Sequence, residues 1–235
     1  MKRSRAMQEV YERRGRLHPA GYYSPFHPSH LYLLQRRERT LFRLLAQAGV
    51  SSLKDVRILD VGCATGEWLL RFLAYGAQVH NVFGVELRNN LLQGIWERRP
   101  RMQMVNGDGA NLPFPDASFD LVHQATVFTS VLDSNVRCHI ASEMLRVVRP
   151  DGLILWFDMR YSNPKNPDIR GIGLRELRAL FPGCRMNVRS VSLVPALARR
   201  VAPLSYTLAR MLELLAPLRI HYLAVIHPPD SSQRR

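Results

Sequence analysis

Ile58-Leu59-Asp60-Val61-Gly62-Cys63-Ala64-Thr65-Gly66-Glu67 decides the fold of this chain. An apolar strand runs into a glycine-rich turn, and the turn runs straight into an amphipathic stretch, EWLLRFLAYG. A strand, a tight turn and a helix in that order mark where an open parallel sheet exposes its ligand crevice. Gly62 and Gly66 let the backbone pass a ligand with no Cβ in the way, and the helix N-terminus beyond Gly66 favours an anionic group. Taken alone, the same glycines could serve turn geometry only.

The flanking sequence speaks against that blander reading. From Val56 onward short apolar runs alternate with amphipathic ones: VRILDV, EWLLRFLAYG, NVFGVE, RNNLLQGIWERR, MQMVNG. Such alternation is a βαβαβ signature, and FDLVHQ, a helix over 134–148 and LILWFD extend it to at least five strands. Glu86 ends the second strand twenty residues after Gly66, where an acidic side chain can accept hydrogen bonds from ribose hydroxyls. Asp108 follows the third strand at the same edge. Upstream, Ser29 reads as the N-cap of a helix carrying Leu31, Leu34, Leu41, Leu45 and Ala48 on one face, with Gly49 as its stop. Downstream lie a polar loop (MRYSNPKNPDIRG), a short helix (LRELRALF), a strand near 185–194 and a last strand, IHYLAVI. Between those two strands Leu204, Leu208, Met211, Leu212 and Leu215 share one helical face.

Composition narrows the class. The chain has 235 residues, 46% hydrophobic and 22% charged, which excludes a mostly disordered or collagen-like chain and predicts one folded domain. The formal net charge is +14, nearly all of it arginine, since the lysines are Lys2, Lys54 and Lys165. Those arginines are scattered and few aromatics interleave with them, so a nucleic-acid surface is not expected. Cys63, Cys138 and Cys184 form no CxxC pair, so neither a metal site nor a disulfide framework is expected, and a reducing, cytoplasmic setting fits. The basic amino terminus has no apolar run behind it, unlike a secretory signal. The longest apolar stretch, 201–218, is broken by Pro203, Arg210, Glu213 and Pro217, so no membrane span is expected, only peripheral contact with a membrane surface.

The segments LDVGCATGEW, VFGVEL, NGDGANLPFPDASFDLV and EMLRVVRPDGLILWFD, in that order, resemble the class I S-adenosylmethionine-dependent methyltransferases, in particular the group that includes the ubiquinone and menaquinone methyltransferases. The resemblance implies a Rossmann-like, doubly wound, mostly parallel seven-stranded α/β sheet. Residues 1–50 would form an N-terminal arm and helical lid, and residues 51–235 the cofactor-binding domain with a helical insertion near 195–217. It further implies that Asp60, Gly62, Ala64 and Gly66 surround the methionine moiety of S-adenosylmethionine. Glu86 would bind the ribose hydroxyls, Leu87 pack on adenine, Asp108 and Gly109 read the adenine edge, and Gln124 lie near the sulfonium. A nicotinamide dinucleotide is disfavoured, because Ala64 stands where the GxGxxG fingerprint needs glycine and no hydride-transfer arrangement follows.

The acceptor is less constrained. Thr129-Ser130 replace the paired histidines that quinone-type relatives often carry after the fourth strand. No NPPY-like tetrapeptide follows FDLVHQ, which counts against adenine or glutamine N-methylation. A small hydroxylated acceptor, such as a sugar, a lipid-linked glycan or a natural product, is the expectation. RNA, and a non-catalytic cofactor-binding role, are the alternatives. An alcohol needs a base as its proton leaves. Asp158 and His123 are the candidate bases, and Tyr23, His27, Arg160 and Tyr161 the candidate acceptor contacts.

Overall fold

A computed structural model describes residues 24–98, 102–163 and 166–229. Among them a seven-stranded sheet runs in the order β3-β2-β1-β4-β5-β7-β6. Its strands are β1 (Ile58–Val61), β2 (Val82–Glu86), β3 (Gln103–Asn106), β4 (Phe119–Ala125), β5 (Val148–Met159), β6 (Arg185–Leu193) and β7 (Arg219–His227). β1 to β5 pair in parallel, and β7 lies antiparallel to both β5 and β6. The order reverses between β2-β1 and β4, which places a topological switch point, and hence a crevice, at the carboxyl end of β1. The doubly wound α/β sheet implied by the sequence is therefore the fold observed.

Each face of the sheet carries its own core. Leu59, Val61, Phe119, Val122, Ile154 and Trp156 point to one face and meet α4 (Ser134–Val147) and α5 (Leu174–Leu180). On the other, Ile58, Leu121, Leu155, Phe157, Leu223 and Val225 meet α1 (Pro28–Gln47) and α2 (Glu67–Ala74). Strand alternation does this sorting, since successive side chains leave on opposite faces. The remaining helices are α3 (Asn89–Arg98), α6 (Pro195–Val201) and α7 (Tyr206–Leu214). α1 starts at Pro28 with His27 at the N-cap position and no side-chain cap, two residues before the expected N-cap Ser29. Proline suits a first turn, where its missing N–H has no partner to lose.

The expected apolar helix after β6 is present as α7, but most of its expected apolar stripe points outward. Leu208 and Met211, with Leu204 and Leu215 beside the helix, are exposed, whereas Ala209 and Glu213 are buried and Leu212 is partly buried against Tyr32, Leu193 and Ala198. Glu213 accepts from the Tyr32 hydroxyl at 2.8 Å and pairs with Arg36, so the polar side of α7 seats on α1.

Candidate active site

The glycine turn after β1 is held from both sides. Gly62 and Gly66 take φ of 74°, and Ala64, lacking glycine's freedom, takes φ of 46°. The Ala64 N–H donates to Glu86 Oε2 at 2.9 Å, and the Gly62 and Cys63 N–H groups donate to the Val85 carbonyl at 2.8 and 3.0 Å. These bonds fix an alanine in a left-handed conformation that side chains rarely adopt, a strain of the kind found at binding turns. Gly62 is also sterically required, since a Cβ there would stand 2.5 Å from Val127 Cγ2.

Glu86 sits at the carboxyl end of β2, buried, one strand from that turn. Besides the Ala64 N–H it accepts from the Arg88 N–H at 3.0 Å and from Arg88 Nε at 2.8 Å. Asn106 Nδ2, at the end of β3, donates to the Glu86 and Leu87 carbonyls at 3.0 and 3.1 Å and fixes the half-buried Leu87 beside it. Beyond β3, Asp108 Oδ1 accepts from the Ala110 N–H at 2.9 Å, and Gly109 backs onto Val61, where a Cβ would stand 3.0 Å from Cγ1. The loop that follows is clamped from α4 by Arg146, which donates to the Leu112 and Phe114 carbonyls at 3.0 and 2.8 Å. Glu86, Leu87, Asp108 and Gly109 therefore converge at one edge of the sheet with the turn of residues 62–66.

Asp60, Gln124 and Asp158 are turned into the protein. Asp60 Oδ1 lies 2.7 Å from His123 Nδ1, and both side chains are buried. Burial pushes the Asp60 carboxyl above its ordinary range, opposed by the His123 pair. The imidazole packs 4.3 Å from the Trp68 ring and 5.3 Å from Phe72, and its Nε2 has no hydrogen-bond partner. Gln124 spends its amide on the Phe157 carbonyl at 3.4 Å and the Val127 N–H at 3.1 Å.

Asp158, expected as a base facing the acceptor, is fully buried. It accepts from the Phe128, Thr129 and Met159 N–H groups at 3.0, 3.3 and 2.9 Å and from the Thr129 hydroxyl. Burial raises its pKa to about 7 against those donors. In this geometry the carboxylate secures the turn Phe128–Ser130 over the end of β4.

Of the expected acceptor contacts, Tyr23 lies outside the described residues, and His27 is exposed at the start of α1. The Arg160 guanidinium sits 4.6 Å from the Tyr161 ring and 4.9 Å from Tyr222, and Nη1 donates to the Ala216 carbonyl at 3.0 Å. The sequence reading did not single out Arg37, Trp68 or His221. Arg37, on α1, lies 4.6 Å over the Trp68 ring and 5.3 Å from Phe157, and its Nε and Nη2 have no partner. Burial lowers its pKa to about 10. His221, on β7, stacks 4.6 Å from Phe157 with Nδ1 unpartnered, and burial, followed by the Arg37 charge, lowers its pKa to about 3. The alternation of His221 with inward Leu223 and Val225 is a signal that marks it in the sequence; Arg37 is hidden among the other arginines of its helix.

The residues fit S-adenosylmethionine. α2 begins after Gly66, which has no side chain to cap the first helical N–H groups, so these suit a carboxylate. A buried carboxylate at the neighbouring strand end suits a diol. Arg88 already holds that carboxylate, so ribose hydroxyls would share or replace its hydrogen bonds. The switch-point crevice, the left-handed glycine turn and the strand-end carboxylate together define the architecture of the class I S-adenosylmethionine-dependent methyltransferases.

Comparison with known proteins agrees. Residues 58–152 match the family model described as "Methyltransferase domain". It is 30% identical over 127 residues to a demethylmenaquinone methyltransferase of Geobacillus sp. (strain WCH70), covering 52% of this chain and 50% of that one. With the Staphylococcus aureus (strain MRSA252) protein of the same name it shares 32% over 116 residues, covering 48% and 46%. The chain thus spans about half the length of the curated relatives it matches.

Among solved structures, a SAM-dependent methyltransferase from Methanosarcina mazei superposes with a TM-score of 0.58 at 16% identity, covering 76% of this chain and 94% of that one. Geranyl diphosphate C-methyltransferase from Streptomyces coelicolor A3(2) gives 0.59 at 14%, covering 88% and 85%. At these identities the likeness shows a shared fold.

Proposed function

We propose that this chain transfers the methyl group of S-adenosylmethionine to a small hydroxylated acceptor. The observation that carries the reading is a division about β1. On its β2 side the glycine turn meets the Glu86 carboxylate; on the β4, β5 and β7 side lie Trp68, His123, Phe157, Arg37 and His221, several with partnerless donors. When bound, the cofactor supplies an electrophilic methyl with a good leaving group. Glu86 takes the ribose hydroxyls, Leu87, Asp108 and Gly109 the adenine, and the turn of residues 62–66 with the α2 N-terminus the methionine part. Orienting an acceptor oxygen against the methyl is the protein's largest contribution, worth roughly 7 to 11 kcal/mol.

Of the two candidate bases, His123 is the better placed to take the hydroxyl proton. Its ring is fixed through Nδ1 by Asp60, and its Nε2 is unspent. Because the imidazole is fully buried, the acceptor reaches it only as Trp68 moves aside. Gln124 and Asp158 position the turn after β4 rather than the acceptor. Likeness to demethylmenaquinone methyltransferases favours a second acceptor atom, a ring carbon activated by a neighbouring hydroxyl.

Adenosylhomocysteine release over a panel of phenols, quinols, sugars and an RNA oligonucleotide tests the reading. Turnover of a hydroxylated small molecule supports it. Cofactor binding with no turnover of any acceptor sinks it in favour of a non-catalytic role, and turnover of RNA alone, falling steeply with salt, replaces it with an RNA methyltransferase.

A further inference from the structure

We propose that the α6–α7 hairpin is a docking surface for an anionic lipid bilayer. The proposal rests on the exposed face of the fold and stands apart from the methyl-transfer reading.

An amphipathic helix on a globular domain turns its apolar stripe toward the core. α7 turns most of its apolar residues the other way. Leu208, Met211 and Leu215 recur at helical spacing and are 48%, 61% and 55% exposed, flanked by Leu204 at 84% and Leu214 at 72%. Facing inward are Ala209, Glu213 and Leu212, the last partly buried against the small core of Tyr32, Leu193 and Ala198. Single exposed leucines are ordinary, but five large apolar side chains within twelve residues form a patch of the kind that marks an interaction site.

The charge around the patch selects the occupant. Arg199 and Arg200 at the end of α6 and Arg210 on α7 are exposed. Between residues 195 and 218 the only acidic residue is Glu213, which is buried and engaged by Tyr32 and Arg36. Aliphatic side chains flanked by cations, with no exposed acid between residues 195 and 218, are the composition of a helix that lies in the interface of an anionic bilayer. Penetration stops there, because no helix among the described residues is long and apolar enough to cross a membrane.

The face is held in place rather than frayed. The Tyr206 hydroxyl donates to the Pro28 carbonyl at 3.0 Å, and its ring meets Tyr32 edge-on at 5.7 Å. Arg160 donates to the Ala216 carbonyl at 3.0 Å and the Arg219 carbonyl at 3.2 Å, tying the loop after β5 to the hairpin's end. The hairpin therefore leans on α1 and on the loop beyond β5, the two elements that border the acceptor side of the crevice. A lipid-borne acceptor would enter beside a membrane-seated α7.

Flotation of the full chain with vesicles is the test. The probes are phosphatidylglycerol-rich vesicles and pure phosphatidylcholine vesicles, at low and high salt. The chain should float with the anionic vesicles and bind phosphatidylcholine roughly tenfold or more weakly. L208Q/M211Q/L214Q, which alters only exposed side chains, should keep the parental circular dichroism and lose roughly tenfold or more in partitioning. R199Q/R200Q/R210Q should lose affinity for anionic vesicles alone. Failure of the parent to float overturns the proposal, as does parental binding by the folded L208Q/M211Q/L214Q variant, which would reduce the effect to bulk charge. A dimer in sedimentation that this same variant dissolves, with no flotation by the parent, would assign the face to a second copy instead.

Discussion

Replacing Asp158 separates the two jobs that a buried carboxylate beside the crevice can do. Alanine there strands three backbone donors, the N–H groups of Phe128, Thr129 and Met159. The Thr129 hydroxyl escapes, since it already reaches the Thr126 carbonyl at 3.4 Å. At about 1 to 3 kcal/mol per orphaned buried donor the loss is several kcal/mol, offset in part because the burial penalty on the carboxylate also disappears. A net destabilisation of about 3 kcal/mol is expected for Asp158→Ala, and about 1 kcal/mol for Asp158→Asn, whose amide oxygen keeps some of the donors.

The pH dependence gives an independent sign. The carboxyl titrates at 3.8 ordinarily and at about 7 in the folded chain. Between those values the native state holds more protons than the unfolded one, so stability from this group is fully present below the lower value. It is lost as pH rises through the upper one, by up to ~4 kcal/mol. Asparagine lacks this dependence. The parent's lead over Asp158→Asn should therefore shrink from about pH 4 to about pH 8 in urea unfolding. Parental unfolding midpoints in both variants, with turnover down by ~10²- to 10⁴-fold, would refute the positioning role and restore Asp158 as the base.

Three further outcomes are expected. Glu86→Ala should weaken S-adenosylmethionine binding by about 1.5 to 3 kcal/mol in calorimetric titration, whereas Arg88→Ala, which frees Glu86 from a competing donor, should tighten it by about 0.5 to 1.5 kcal/mol; tenfold weaker binding in the second variant would mean that Arg88 holds Glu86 in its working position. Gly62→Ala, with a Cβ 2.5 Å from Val127 Cγ2 at φ of 74°, should cost about 1 to 3 kcal/mol in thermal unfolding, and Val127→Ala should recover only the steric part. Arg37→Met, which removes a buried cation with two partnerless nitrogens, should raise the melting temperature while raising the acceptor KM; an unchanged KM would place Arg37 outside the acceptor site.

How far the sequence is legible depends on whether a residue's job is set locally or by contacts across the fold. The turn of residues 62–66 and Glu86 are readable because each sits at a junction where periodicity changes, and the strand and helix that flank it fix its direction. β6 and β7 were likewise visible as short runs bounded by turn residues. Asp158 looks from the sequence like Glu86, an acid closing a buried strand, yet one faces the glycine turn and the other folds back on residues 128–130. What separates them is the turn at 126–130 and its inward N–H groups, which the local pattern around Asp158 does not show. His123 is similar: alternation puts it inside, but only the register Asp60↔His123 reveals the pair.

The arginines carry the same lesson into function. Their number invites a polyanion partner, but many have structural work that lysine could not do, because a planar fork bridges several carbonyls and stacks on rings. Arg146 clamps the loop after β3, Arg137 is fully buried and donates to the Val131 carbonyl at 2.7 Å, Arg57 lies 4.9 Å over Phe83, and Arg88 holds Glu86. An arginine so engaged is a poor candidate for phosphate contacts, so the +14 charge overstates what is presented to a partner. Position outweighs the total. Arg199, Arg200 and Arg210 flank the exposed stripe of α7, within a stretch, residues 195–218, whose one acid is the buried Glu213, and a cationic rim around aliphatic side chains suits a bilayer surface rather than a nucleic acid, whose bases call for aromatic stacking.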